Sequence, residues 1–230
     1  MKIGIIVATR VESAPFAEAL AEATAKKVVF PEEAGFTVTA WDFAPVAKIQ
    51  VYLLKSGVGE IAAAAATQYL IMKFNVDTII NYGVVGGLTD ETPAHTVGYV
   101  NKIIHAGIYY GPGFKEGEYP NQGSIYIVPN RNAIKVEELG IPEFICASSD
   151  RVILGGEPKR QLREKTGADI CEMEAAAIAR IANKNNIPVS FIKAVSDGVD
   201  EDEDAFQANV RQASKTCVKI LIDTLHLPTA

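Results

Sequence analysis

Lys2-Ile3-Gly4-Ile5-Ile6-Val7-Ala8, followed at once by Thr9-Arg10-Val11-Glu12, is the stretch from which the fold is read. The run is apolar and rich in β-branched residues, the pattern of a central strand buried on both faces. It stops at Thr9 to Glu12, and the Ala- and Glu-rich segment Ala14 to Lys26 then predicts a helix. Strand, short loop and helix make the first unit of an α/β fold.

The rest of the chain repeats that alternation. Val38 to Phe43 and Lys48 to Leu54 predict a pair of strands, the second ending at Ser56-Gly57-Val58-Gly59, and Glu60 to Phe74 predicts a helix. Asp77 to Tyr82 predicts a buried strand closed by Gly83-Val84-Val85-Gly86-Gly87. Val97 to Val128, rich in Gly, Tyr and Ile, reads as strands and a long loop, Tyr110 to Asn121, of a length uncommon unless it serves a site. Glu157 to Thr166 reads as a charged, exposed helix and Met173 to Asn185 as an amphipathic one. Val189 to Val195 reads as a buried strand and Ala205 to Leu225 as the closing helix. With no repeat, linker or low-complexity tract, residues 1–230 read as a single α/β domain: a mostly parallel, central mixed sheet flanked by helices on both faces. Sites in such sheets lie beyond the carboxyl ends of strands, so Thr9 to Glu12, Ser56 to Gly59, Gly83 to Gly87 and Ser196 to Asp200 are expected to open on one side.

Composition narrows the function classes. Of 230 residues, 48% are hydrophobic and 22% charged, enough to bury a substantial core. Lys+Arg 22 against Asp+Glu 28 gives a net charge of -6, which leaves no basic field for a nucleic acid partner. Cys146, Cys171 and Cys217 are widely spaced and lack a CxxC, so they predict neither a disulfide framework nor a zinc site but buried small residues. His95, His105 and His226 fit no metal spacing, and no metal or cofactor is expected. The N-terminal run is too short for a signal peptide, and no apolar run approaches the ~18 residues of a membrane span. A cytoplasmic protein without a membrane partner is the expectation.

Two acidic elements stand out. Cys171-Glu172-Met173-Glu174 sets two carboxylates where an Ala-rich helix, Ala175 to Ala182, begins; from the residues alone this reads as a capping pair. Ser196-Asp197, after the strand Val189 to Val195, is equally an ordinary N-cap. Glu201-Asp202-Glu203-Asp204 reads as a solvated acidic turn.

Together these segments resemble the nucleoside phosphorylase/nucleosidase superfamily, and most closely its 5′-methylthioadenosine/S-adenosylhomocysteine nucleosidases. The resemblance is collinear over nearly the whole chain. Its specific part is Glu172-Met173-Glu174 with Ser196-Asp197 downstream, joined by Met1 to Ile6 with Glu12 following, Lys55 to Gly59 and Gly83 to Leu88. It implies that a purine nucleoside is the small-molecule partner and that its N-glycosidic bond is hydrolysed through an oxocarbenium-like sugar. Asp197 matches the general acid that protonates purine N7, and Glu12 the residue that orients or deprotonates the attacking water. Glu174 matches the carboxylate that accepts from the ribose 2′- and 3′-hydroxyls, Met173 packs on the sugar, and Ser196 supports Asp197. Ile153, at the end of Asp150 to Ile153, would read the purine edge through its backbone. Glu172, Val84, Val85, Gly86, Val152 and Phe206 are expected to complete the substrate-binding wall. The family also implies a homodimer in which a partner loop closes the 5′ pocket.

The chain departs from the family at two places. Val84 stands where those nucleosidases usually carry a serine in the glycine loop, and Val152 where a phenylalanine stacks on adenine. Phosphorylases of the superfamily carry a basic and hydroxylic phosphate cradle, where this chain has Asn81-Tyr82-Gly83-Val84, with Arg10 as the remaining candidate anion ligand. Water is therefore the expected nucleophile. A phosphorylase, a hydrolase of a related nucleoside such as futalosine, and a non-catalytic nucleoside sensor are the alternatives.

Overall fold

The computed structural model describes residues 1–44, 46–120 and 124–228. The loop expected from Tyr110 ends at Asn121, which lies outside the described residues. The chain opens with β1 (Lys2–Val7), α1 (Arg10–Ala19), β2 (Lys26–Val29), β3 (Val38–Asp42), β4 (Gln50–Lys55) and α2 (Glu60–Phe74). It continues with β5 (Thr78–Gly87), β6 (Val97–His105), β7 (Tyr126–Ile127), β8 (Glu143–Ser148) and α3 (Gly156–Thr166). It ends with β9 (Ile170–Glu172), α4 (Ala175–Lys184), β10 (Val189–Asp197) and α5 (Glu203–Leu225).

The sheet is not a simple open one. Its strand order is β10-β6-β8-β9-β5-β1-β4-β3-β2, and β10 also pairs with β5, so β5, β9, β8, β6 and β10 close into a five-stranded barrel that β1, β4, β3 and β2 extend. The ladders β1–β4, β1–β5, β5–β10, β6–β8 and β8–β9 are parallel, and β2–β3, β3–β4, β5–β9, β6–β7 and β6–β10 antiparallel. Parallel and antiparallel ladders are thus equal in number among the described residues, where a mostly parallel sheet was expected. The difference arises in segments with a weak strand pattern: β8 and β9 were not legible at all, and they close the ring.

Helices cover both faces, as periodicity implied. Ile3, Ile5 and Val7 of β1 point to the layer of α1 and α5, where Phe16, Leu20, Cys217 and Leu221 are buried. Ile6 points to the opposite layer, where Ala63, Ala66 and Leu70 of α2 meet the alanines of α4. This period-two alternation is what a strand between two helical layers requires. Each fully buried Leu, Ile or Phe contributes roughly 1.5–3 kcal/mol.

Three boundaries differ from expectation in ways that matter. α1 starts at Arg10, because Thr9 and Glu12 form a capping box, and it ends at Ala19; Lys26 instead begins the exposed edge strand β2. β5 runs through the glycine segment to Gly87, because Gly83 to Gly86 pair with β10 while Gly86 and Gly87 also pair with β9. β10 likewise runs on through Ser196 to Asp197, with a register shift after Val195. Since β1, β4, β5 and β10 are mutually parallel, their carboxyl ends share one side, and the segments after them converge there. Among the described residues, no helix is long and apolar enough to cross a membrane.

Candidate active site

A cleft of about 340 Å³ lies at those strand ends. All twelve residues singled out from the sequence line it: Glu12, Val84, Val85, Gly86, Val152, Ile153, Glu172, Met173, Glu174, Ser196, Asp197 and Phe206. Its size falls within the usual range of small-molecule sites, about 300–1,000 Å³.

Glu12 is fixed by the start of α1. Its Oε2 accepts from Thr9 N at 2.8 Å and Thr9 Oγ1 at 2.9 Å, and its own N–H donates to Thr9 Oγ1 at 3.3 Å. Its Oε1 is left on the cleft side, accepting from Val84 N at 3.2 Å. Tyr82, fully buried, donates its hydroxyl to Glu12 O at 2.8 Å. Gly83 admits this arrangement, because a Cβ there would stand 2.5 Å from Glu12 Oε1.

Glu172 and Glu174 do different things although two residues apart. Glu172 is the cap of α4, accepting from Glu174 N at 3.1 Å and Ala175 N at 2.9 Å, and it is paired with the buried Lys193 at 3.1 Å. Burial alone would raise its pKa, but Lys193, the Ser148 hydroxyl and the Ala175 N–H outweigh it and hold the carboxyl below its ordinary value. Burial also opposes charge on Lys193, and Glu172 and Glu174 reverse that and raise it. Glu174 has no such cation of its own. Its Oε1 accepts from Gly59 N at 2.8 Å across the cleft. Burial, reinforced by the neighbouring Glu172, pushes its pKa up to about 7. Of the two carboxylates, Glu174 is the one free to meet a ligand.

Asp197 ends β10, 2% exposed, with both oxygens engaged: Oδ1 by Ser196 Oγ at 2.6 Å and Oδ2 by Lys159 Nζ at 2.5 Å. Burial raises its pKa, although Lys159 and Ser196 both act to lower it. Gly86 again makes room, since a Cβ would lie 3.3 Å from both Asp197 Oδ2 and Lys159 Cε. Glu12, Glu174 and Asp197, held by three different elements, thus face one cavity, which Glu172 and Glu203 also line.

A family model described as the phosphorylase superfamily matches residues 2–226. The chain belongs to the phosphorylase superfamily. It is 26% identical over 239 residues to a 5′-methylthioadenosine/S-adenosylhomocysteine nucleosidase of a Shewanella species, covering 98% of this chain and 100% of the relative. A nucleosidase of the same description from Shewanella piezotolerans is 28% identical over 212 residues, 88% of each chain. Among solved structures, the Helicobacter pylori 5′-methylthioadenosine/S-adenosylhomocysteine nucleosidase superposes with a TM-score of 0.87 at 21% identity, covering 98% of both chains. The native futalosine hydrolase of the same organism gives a TM-score of 0.86 at 21% identity, over 98% of this chain and 97% of that one. These structural likenesses show the shared fold.

Within this phosphorylase-superfamily chain, several site residues escaped the sequence reading. Lys159 was placed on an exposed helix, yet it is fully buried against Asp197. Lys193 lay inside the run Val189 to Val195 without distinction. Thr9 and Gly59 supply the bonds that aim Glu12 and Glu174, and Arg151, Leu154, Gln207 and Val210 add to the lining. Val152 stands at the cleft 68% exposed. Arg10 is exposed on the first turn of α1 and is not among the lining residues. His105 is half-buried and pairs with Glu60, and His226 caps the end of α5. The acidic turn is more structured than expected: Glu201 Oε2 accepts from Gly198 N at 2.6 Å, and Asp202 caps α5. All three cysteines are buried and free.

Proposed function

We propose that this chain hydrolyses the N-glycosidic bond of a purine nucleoside, 5′-methylthioadenosine and/or S-adenosylhomocysteine, releasing adenine and the 5′-substituted ribose. The carrying observation is the convergence of Glu12, Glu174 and Asp197 on one cleft, each aimed by its own partner. In this reading the C1′–N9 bond breaks with its electron pair moving to the purine, and Asp197 delivers a proton to N7. Water adds at C1′ and passes its proton to Glu12, so nucleoside plus water balances to base plus sugar. Glu174 accepts from the ribose hydroxyls through the oxygen that Gly59 does not occupy, Met173 packs on the sugar, and Ser196 holds Asp197. Phe206, Val84, Val85, Gly86, Val152 and the Ile153 backbone enclose the base and the 5′ end.

A second reading keeps the reaction and changes the substrate to a nucleoside such as futalosine. It is favoured by the near-equal likeness to the Helicobacter pylori futalosine hydrolase and nucleosidase, together with the apolar Val84 and Val152. The reading takes residues 1–230 as one domain, acting in the cytoplasm as a homodimer without nucleic acid or membrane partners. The exposed apolar side chains of Ile61 and Met72 on α2 support a covered surface, which light scattering of the purified protein would test. Base release measured over methylthioadenosine, S-adenosylhomocysteine, adenosine, inosine and futalosine, with and without phosphate, tests the whole proposal. Release of adenine that does not respond to phosphate is the expected outcome. A sugar 1-phosphate as main product would establish phosphorolysis instead, and absence of turnover would leave a sensor.

A further inference from the structure

α3 carries the sequence Gly156-Glu157-Pro158-Lys159-Arg160-Gln161-Leu162-Arg163-Glu164-Lys165-Thr166, and most of its charged side chains lie in solvent. Lys159 does not: it is 0% exposed. Taking an ammonium out of water costs several kcal/mol, so the fold must return that cost locally. It does so with three acceptors for the three N–H groups: Asp197 Oδ2 at 2.5 Å, Asp197 O at 3.1 Å and Gly198 O at 2.6 Å. Lys159 is not part of the cleft lining, so it stands behind Asp197 and acts only through it.

We propose that Lys159 is a positioning residue for the proton transfer: its ammonium, clamped behind Asp197 by three oxygens, fixes the carboxyl and takes up the charge that Asp197 acquires when it protonates the purine. This deepens the reading of Asp197 as general acid and rests on it. Because Lys159 occupies Oδ2, the transferable proton resides on Oδ1. Ser196 is built to follow that change. Its single hydroxyl hydrogen has two acceptors, Asp197 Oδ1 at 2.6 Å and Val85 O at 3.2 Å. Before transfer, protonated Oδ1 donates to Ser196 Oγ, which donates to Val85 O; as the Oδ1 proton turns to the purine and leaves, Ser196 turns in its place and donates to Oδ1. The carboxylate then faces the Lys159 cation on one oxygen and a hydroxyl donor on the other. An acid so supported is stronger at the moment of transfer, and less of it is protonated at high pH.

The other groups that face Asp197 are few. β9 brings the thiol of Cys171, itself pushed up to about 12 by burial, and the turn after β10 brings Glu201, whose charge acts against that of Asp197. β5 contributes Gly86, and α5 contributes Asn209, which donates to Ser196 O at 2.9 Å, together with Glu203 on the cleft wall. Among these, Lys159 is the cation.

The test compares Lys159→Met with the wild-type full-length enzyme, with Lys159→Gln as the neutral alternative should the methionine variant not fold. Two readouts separate proton transfer from scaffolding. The first is the pH profile of kcat/KM for purine release; the second is turnover of p-nitrophenyl β-D-riboside, whose phenolate leaves without a proton. The expected result is a loss of purine release of roughly 10–100-fold, below the about 10²–10⁴-fold of a full general-acid effect because Asp197 itself remains. The alkaline limb should move to higher pH by a unit or more, and the nitrophenyl riboside should change less than about threefold. An unmoved limb with equal losses on both substrates would overturn the proposal and leave Lys159 a structural cation. Asp197→Asn run in parallel separates the two levels. If it too loses both substrates equally, the general-acid reading itself fails; if it loses purine release selectively and Lys159→Met does not, only the inference about Lys159 fails.

Discussion

Glu174 offers the sharpest quantitative test, because its environment sets both the size and the pH dependence of the effect. One oxygen is tied to Gly59 N at 2.8 Å, and the other is the one proposed to meet the sugar hydroxyls. A hydrogen bond to a charged acceptor is worth about 1.5–3 kcal/mol, against about 0.5–1.5 for a neutral one. At roughly 1.4 kcal/mol per factor of ten, ionised Glu174 should favour a riboside over its 2′-deoxyriboside by about 10–150-fold, and Glu174→Gln by only about 2–10-fold. Burial and the adjacent Glu172 raise the carboxyl to about 7, so the wild-type preference should itself titrate. The sign follows from the direction of that shift: above pH 7 the acceptor is charged and discrimination is high, and on descending through 7 it protonates and discrimination falls toward the Gln value. Glu172 does not confuse the reading, because Lys193 keeps it ionised well below this window. The assay is the ratio of kcat/KM for paired substrates between pH 6 and 8.5, in which the titration of Asp197 cancels because it affects both substrates alike. A ratio independent of pH, or a Gln variant that discriminates as well as the wild type, would remove Glu174 from the role of hydroxyl acceptor.

Asp197→Asn keeps the size of the side chain and removes the proton; purine release should fall by about 10²–10⁴-fold while a bound substrate analogue retains its affinity in calorimetry. Gly83→Ala places a methyl 2.5 Å from Glu12 Oε1, and the displaced carboxylate should cost roughly 10–100-fold in kcat at unchanged circular dichroism. Lys193→Met strands the buried Glu172 without its cation, which should cost about 3–5 kcal/mol and roughly 6–20 °C in melting temperature. Since the pKa of Glu172 is lowered in the folded state, its contribution to wild-type stability is present above the unfolded carboxylate value and lost as pH falls through the folded one; the methionine variant should show less of that acid dependence in thermal melts.

The parts of this molecule that speak through local pattern were legible. β1 and α2 could be bounded to within a residue or two, since one is a saturated apolar run and the other an Ala-rich helix between Gly59 and a left-handed Asn75. Gly83 to Gly87 was read as a loop because glycine disfavours strands locally; pairing with both β10 and β9 overrode that preference, and the absence of side chains is what lets three strands and Glu12 come so close. β8 and β9 carry only six and three residues, too little for a periodic signal. The acids of the cleft were found through their family resemblance, whereas Lys159 was not, because its burial depends on acceptors 38 and 39 residues downstream. A buried cation is a property of the fold, and a charged amphipathic helix conceals it.

The distribution of charge around the cleft also bears on the choice of nucleophile. Glu12, Glu172, Glu174, Asp197 and Glu203 line it. The two lysines nearest them are spent, Lys159 on Asp197 and Lys193 on Glu172, both beneath the surface that a substrate meets. Arg151 is the cation of the lining, in the turn after β8 beside Val152 and Ile153, while Glu12 approaches from α1 over β5. Where a hydroxyl would help to hold an oxyanion, Val84 offers an apolar side chain, and its N–H is already directed to Glu12. At an effective dielectric near 20, two like unit charges 4 Å apart repel by about 4 kcal/mol, close to a thousandfold in occupancy. A phosphate dianion brought next to Glu12 would meet that repulsion, whereas water meets only an acceptor for its proton. In the proposed reading the carboxylate that repels the anion also accepts the proton of the neutral nucleophile, so hydrolysis rather than phosphorolysis is the reaction that this arrangement of charge favours.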